Sequence, residues 1–247
     1  KANSEQSAIE PPAEYMHSEL AVREIAAILR CDLSLMISEF EMHWLQSRFN
    51  VPATQLLYLP FMQAEKNSGE VVPDFAQRQH FISIGNFRHE PNWDAVRYLK
   101  ESLWPVIRQQ LPQAELHIYG AYPPPKATQL HNARQGFLVK GWAEDARQVV
   151  RSARVMLAPL RFGAGLKGKL IDAAECGTPA VTTAIGAEGM YAPGSEAALV
   201  ANCAEDFIQQ AVTLYQDEIQ WQGLQANGLN LISSRFSFRE HAPRLQQ

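Results

Sequence analysis

ARVMLAPLRFGAGLKGKLIDAAECGTPAVTT, residues 153–183, opens with an apolar run of strand length, turns through three closely spaced glycines, continues at helical spacing from Leu166 to Cys176 and closes on the short run PAVTT. Strand, turn, helix and strand within about thirty residues make a βαβ unit. Its two strands run parallel, since the crossover helix returns the chain to the edge it started from. The alternation extends outward. Upstream stand FISIG (Phe81–Gly85), a helix from about Asn92 to Gln110, ELHIYG, a proline-rich loop, a short helix near Lys126–Asn132, GFLVKG and a helix across Asp145–Arg151. Downstream come ALVA (Ala198–Ala201) and, from Ala204, helices with Phe207, Val212, Leu214 and Trp221 as core contacts. This pattern predicts an α/β domain whose parallel sheet is covered by helices on both faces, with ligands at the carboxyl ends of its strands.

The first third of the chain reads as a smaller α/β piece. Ser18–Leu29 places Leu20, Ile25, Ile28 and Leu29 near helical spacing, and the apolar run Leu33–Ile37 follows. Ser38 with Glu41 three residues on forms a capping box for a helix reaching about Phe49, and LLYLP (Leu56–Pro60) is a strand. The polar stretch Met62–Gln79 reads as a linker. The expected organisation is therefore a polar leader over 1–14, the small α/β segment over 15–61, the linker over 62–79, the sheet domain over 80–230 and a helical tail over 231–247.

Composition narrows the function classes. A 46% hydrophobic content over 247 residues supports a sizeable core, and a net charge of −4 with both signs interspersed offers no electrostatic drive toward nucleic acid or an anionic membrane. No apolar run approaches the ~18 residues of a membrane helix, and the start has no signal-peptide core. Cys31, Cys176 and Cys203 show no metal-ligand or CxxC spacing, which fits a reduced cytoplasmic setting. The chain starts at Lys1 rather than Met, and an upstream segment is expected.

The glycine-rich turn follows an apolar strand and opens a helix, an arrangement in which backbone N–H groups and the helix dipole meet an anion. A bare glycine turn is the plain alternative. Gly163, Gly165 and Gly168 satisfy GxGxxG, the dinucleotide fingerprint, but Asp172 and Glu175 occupy helix positions that should pack small residues on the sheet. The acidic residue expected about twenty positions on falls on Glu188, past Gly186, beyond the expected strand end. Gly163–Lys169 also matches GxxxxGK, yet Leu170 stands where a hydroxyl would hold magnesium.

A third reading takes the turn with its surroundings. FISIGNFRHEPNWDAVRYLKESLWPVI (Phe81–Ile107), PQAELHIYG (Pro112–Gly120) and the block from GFLVKGWAED to AIGAEGM (Gly136–Met190) resemble, in this order, the C-terminal, donor-binding domain of the retaining glycosyltransferases of the GT-B fold, in particular the family 4, or group 1, set. Arg23–Pro60 looks like the last helix, strand, helix and strand of that fold's N-terminal domain. The resemblance implies a Rossmann-like domain that binds a nucleoside diphosphate sugar and passes the sugar, with retention, to a carbohydrate or lipid acceptor. It implies no cofactor beyond that substrate, and no DxD carboxylate pair suggests a metal. Acceptor site and catalytic base belong to the N-terminal domain in such enzymes, so no base is assigned here.

Residue by residue, the resemblance puts the diphosphate over the amides of Gly163, Gly165, Leu166 and Lys167, with Lys169 or Lys167 as charged partner. The same resemblance implies that Asp172 accepts from the ribose hydroxyls. The family's other acidic position falls on Ala164, a departure that leaves the sugar without its usual carboxylate and donor-sugar identity open. The loop GNFRHEPNW brings Gly85 and Arg88 toward the phosphates, which makes Arg88 and Lys169 leaving-group stabilisers. A nucleobase would lie by Lys140, Gly141 and Trp142. Trp142 is open to two readings, stacking on a base or capping the sheet; Arg88 reads nearly as well as a surface arginine, and His89, an acid or base by type, reads as a polar surface residue. Asn86 shapes the turn, Trp93 has the spacing of a core partner of Val96, Tyr122–Pro125 stiffen a rim, and the resemblance brings Glu188 toward the sugar. A non-catalytic nucleotide-binding module and an NAD-dependent oxidoreductase are the alternatives of other classes.

Overall fold

The computed structural model describes residues 18–63, 72–191 and 197–243. The chain divides into two units, Lys1–Leu59 and Pro60–Gln247.

In the smaller unit, helix α1 (Glu19–Arg30) is capped by Ser18, whose hydroxyl accepts from the Ala21 N–H. Strand β1 (Ser34–Met36) leads to helix α2 (Glu39–Phe49), where Ser38 Oγ accepts from the Glu41 N–H at 3.3 Å, the N-cap that the Ser-x-x-Glu spacing predicts. Asn50, left-handed at φ 53°, ends α2, and a 3-10 turn leads to β2 (Leu56–Tyr58), which pairs parallel with β1. Leu45, Val51 and Leu56 are its buried centre, with Ile25, Ile28, Met36 and Trp44 packed around them.

The larger unit is built on six parallel strands among the described residues: β3 (Gln79–Ile84), β4 (Leu116–Tyr119), β5 (Phe137–Gly141), β6 (Ala153–Ala158), β7 (Ala180–Thr183) and β8 (Ala198–Ala201). They lie side by side as β5-β4-β3-β6-β7-β8. In chain order that is third, second, first, fourth, fifth, sixth, the doubly wound arrangement in which successive crossovers change direction between the first and fourth strands. Phe81, Ile82, Val155, Leu157 and Val181 have no exposed surface, as central strands covered on both faces require.

Helices flank this sheet: α3 (Glu90–Tyr98) and α4 (Trp104–Gln110) after β3, α5 (Pro125–Thr128) after β4, α6 (Ala146–Ser152) after β5, α7 (Gly168–Glu175) after β6 and the short α8 (Ala184–Ala187) after β7. After β8 come α9 (Ala204–Gln216), α10 (Glu218–Arg235) and α11 (Phe238–His241). Phe207, Val212, Leu214 and Trp221 are all buried. The two most deeply buried indoles satisfy their N–H groups: Trp104 donates to Gln135 O at 2.8 Å and Trp221 to Arg154 O at 2.6 Å.

Several boundaries differ from the sequence reading. The single helix expected over Asn92–Gln110 begins at Glu90 and passes through a π turn, Leu99–Leu103. Pro105 has no N–H to give to the Glu101 carbonyl, and the widened turn just before it absorbs that loss. The linker ends earlier than Gln79, because Arg78 is fully buried and Gln79 opens β3. Helix α10 runs unbroken through residue 230, with Leu231 and Ile232 buried, so its apolar stripe continues where the sequence reading ends the domain. The short helix expected to reach Asn132 stops at Thr128, and Asn132 instead caps a 3-10 turn over Ala133–Gln135.

Candidate functional site

Because all six strands are parallel, their carboxyl ends form one edge of the sheet, and β3 and β6 are neighbours whose following loops diverge to different crossovers. A cleft of about 190 Å³ opens between those two loops. His89, Pro91 and Asn92 line it from the β3 side, and Leu160, Phe162, Gly163, Ala164, Leu166, Lys167, Gly168 and Lys169 from the β6 side. The sequence brings these stretches together only through the strand order, since they stand about seventy residues apart along the chain.

The β6 loop owes its shape to glycine. Gly163 (φ 119°) and Gly165 (φ 74°) take conformations that side chains oppose, and a Cβ on Gly163 would also press on Pro91 Cγ at 3.2 Å. The loop delivers the chain to α7 with Lys167 in the capping position. Gly168 and Lys169 then fall in the first turn, where N–H groups have no intrahelical acceptor.

The two lysines of the loop are used differently. Lys167 is buried and folds its ammonium back onto the carbonyls of Gly163 and Gly165, stapling the turn from inside. Lys169, partly buried, reaches across the cleft to Asn92 Oδ1 at 2.6 Å. Burial lowers the Lys169 pKa to about 8, with the Lys167 charge adding to the effect. An ammonium has three donors, and Lys169 shows one acceptor among the described residues, so donor capacity is left on the cleft wall.

A second tie spans the same loops. Arg161 grips Asp94 of α3 through Nε and Nη2, with Nε to Oδ2 at 2.8 Å, and lies over the Tyr98 ring. The hydrogen bond to Asp94 raises the Arg161 guanidinium pKa. This exposed fork fixes the loop spacing but engages its own donors.

Asp172 does not line the cleft. It stands one turn along α7 in an adjoining cleft of about 250 Å³, with Phe61, Met62, Gln63, Gly168 and Ile171. Gly168 is common to both clefts. Burial raises the Asp172 carboxyl above its usual range, with Arg147 opposing. Glu175, one turn further, is buried and paired with Arg147 Nη2 at 3.0 Å.

The remaining sequence-predicted residues fall around the same edge. Gly85 follows β3, and its missing Cβ leaves room for the Asn92 side chain. Arg88 is exposed, packs its guanidinium over the Tyr122 ring at 3.8 Å and is absent from the residues lining the cleft. Asn86 Oδ1 accepts from the Arg88 N–H at 2.9 Å and so shapes the turn. Gly141 ends β5, two strands from β3, and Trp142 next to it is 72% exposed, which leaves its ring faces open rather than spent on capping the sheet. Trp93 and Val96 are buried together. Ala164 sits in the cleft wall, and Glu188 lines neither cleft. Among the described residues no group of three or more His, Cys, Asp or Glu side chains could hold a metal ion, and no helix is long and apolar enough to cross a membrane.

Asn92 stands out in the sequence only as a helix start. The one available signal is its polar side chain two residues into a helix that follows a glycine-ended strand. The dinucleotide reading loses its position: the glycine-rich turn follows β6, the fourth strand of this sheet in chain order, whereas that fingerprint belongs to the first βα turn.

Comparison with known proteins agrees with this architecture. A family model described as glycosyl transferases group 1 matches residues 78–217. No curated protein matches the chain at a significant level. Among solved structures, the chain is similar to a mutant of TarM from S. aureus, in complex with fondaparinux, alpha-GlcNAc-glycerol and UDP, with a TM-score of 0.73 at 12% identity over 92% of this chain and 46% of that one. It is similar to WaaG, a glycosyltransferase involved in lipopolysaccharide biosynthesis (TM-score 0.68, 15% identity, 99% of this chain, 72% of that one). It is also similar to Alr3699/HepE from Anabaena in complex with UDP and glucose (TM-score 0.68, 14% identity, 95% and 69%). At such identities the likeness establishes the fold, and the chain spans about half the length of TarM.

Proposed function

The chain belongs to the group 1 glycosyl transferases, and from that premise we propose that its larger unit is the donor-binding half of a glycosyltransferase. The ligand is a nucleoside diphosphate sugar, whose sugar passes to a carbohydrate or lipid acceptor with retention of configuration. The observation that carries the reading is the cleft between the β3 and β6 loops, with a partly buried lysine and the first turn of α7 on one wall. Breaking a glycosidic bond to a nucleotide leaves charge on the diphosphate, and fixed cations and backbone donors stabilise it as it forms.

Each cleft alone is smaller than the ~300 Å³ at which sites for drug-sized ligands begin, whereas a ligand passing Gly168 would occupy both. We place the diphosphate against Lys169 and the β6 loop, the ribose by Asp172 and the base toward Trp142. Arg88, turned onto Tyr122, would have to swing inward to take part. Ala164 in the cleft wall offers the sugar no carboxylate. Since TarM and HepE were each solved with UDP, uridine is the first base to try. The test is calorimetric titration of UDP, GDP, ADP and NAD into the chain and into Asp172→Ala. Metal-independent binding of one diphosphate, weakened by the substitution, supports the reading; preference for NAD, or no binding of any diphosphate, overturns it.

A further inference from the structure

We propose that Asn92 is a positioning residue whose side-chain amide latches the Lys169 ammonium on the cleft wall, holding the cation in place for a phosphate before any ligand arrives. The inference rests on the diphosphate reading of the cleft.

Asn92 and Lys169 lie 77 residues apart, in the first turns of α3 and α7, on opposite sides of the strand-order reversal. The amide is held at both ends. Its Nδ2 donates to the Asn86 carbonyl at 3.0 Å, which turns Oδ1 toward Lys169 Nζ at 2.6 Å. The Asn86 end belongs to the β3 loop, so the latch ties that loop to the helix after β6. Gly85 makes it possible: a Cβ there would stand 2.7 Å from both Asn92 Cγ and Nδ2. A lysine side chain is long and flexible, and fixing it in advance removes an ordering cost that binding would otherwise bear. The carbonyl oxygen also favours the charged amine, opposing the burial and the Lys167 charge that hold the Lys169 pKa near 8. His89, which lines the β3 side of the same cleft, and Lys167 are present in every variant below.

The test follows the Lys169 ε-carbon by NMR from pH 6 to 11 in the nucleotide-free chain. Asn92→Ala removes the acceptor and is expected to lower the Lys169 midpoint; Gly85→Ala, which displaces the amide without altering it, is expected to do the same. Asn92→Asp puts a carboxylate beside the ammonium and is expected to raise the midpoint. A residue that merely shapes the start of α3 would move none of these, and unchanged midpoints in Gly85→Ala and Asn92→Asp overturn the latch even if Asn92→Ala does not fold. Calorimetry with UDP supplies the second readout: Asn92→Ala weakens binding about tenfold at neutral pH, the usual scale for one hydrogen bond to a charged group. Should the unaltered chain fail to bind UDP or another nucleoside diphosphate, the diphosphate reading falls, while the lysine titration still decides the latch.

Discussion

Arg78 and Lys169 stand at opposite ends of one sheet, the first immediately before β3 begins and the second in the first turn of the helix after β6. Both are cations withdrawn from water, and their hydrogen bonds differ. The Arg78 guanidinium donates to Pro73 O at 3.0 Å, Ala153 O at 3.3 Å, Cys176 O at 2.8 Å and Thr178 Oγ1. It closes the amino edge by satisfying carbonyls, including one at the C-terminus of α7, where a positive charge is favoured. Burial still lowers its pKa to about 10. Lys169 meets one side-chain oxygen at the carboxyl edge, in a turn whose glycines bring backbone close to open space. A cation that gives four of its five N–H groups to protein acceptors holds the fold together; one with donors left over on a cleft wall is equipped for a ligand.

Substitutions should therefore separate stability from binding. Arg78→Met strands several buried acceptors and is expected to cost about 3 kcal/mol or more in urea unfolding. Nucleotide affinity of the protein that remains folded should be unchanged. Lys169→Met reverses the pattern: UDP affinity falls by about 30-fold or more, while unfolding free energy moves by less than about 1 kcal/mol. If Lys169→Met unfolds the protein instead, the contrast between the two cations is broken.

Acid stability sharpens the same contrast within the lower half of the sheet. Burial, helped by the stacked His117 ring 3.9 Å away, lowers the His80 pKa to about 4. Its folded value lies below the ordinary 6.5, so the unfolded chain takes up the proton first. Stability is thus full above about pH 6.5 and declines as pH falls toward 4, and His80→Phe should flatten that decline in unfolding measured from pH 7 to 4. The smallest effect is expected at Arg161, whose fork to Asp94 is exposed: Arg161→Ala should change stability by about 1 kcal/mol or less. A loss in UDP affinity comparable to that of Lys169→Met would show that the loop tie, rather than the Lys169 ammonium, carries binding.

Much of this arrangement is legible in the sequence, and the exceptions share a physical cause. Each of the six strands announces itself as a short apolar run, and Ser38 declares its helix because a cap is a local bond spanning three residues. The glycine turn is legible for the same reason, as positive φ is a property of single residues. Arg78 is not, because a polar residue beside a polar stretch looks like linker until strands far along the chain supply its acceptors. Asn92 and the division of labour between Lys167 and Lys169 depend on the β3–β6 adjacency, which appears only when the strands take their order in space. One lysine lies at the cap and folds onto its own loop; the other, two residues on, faces the neighbouring loop.

The most direct measurement is the structure of the chain with UDP bound. Diphosphate oxygens are expected at about 2.7–2.9 Å from Lys169 Nζ, with the ribose beside Asp172 and the base toward Trp142. A diphosphate held away from the β6 loop, with Lys169 still donating to Asn92 alone, would contradict this placement.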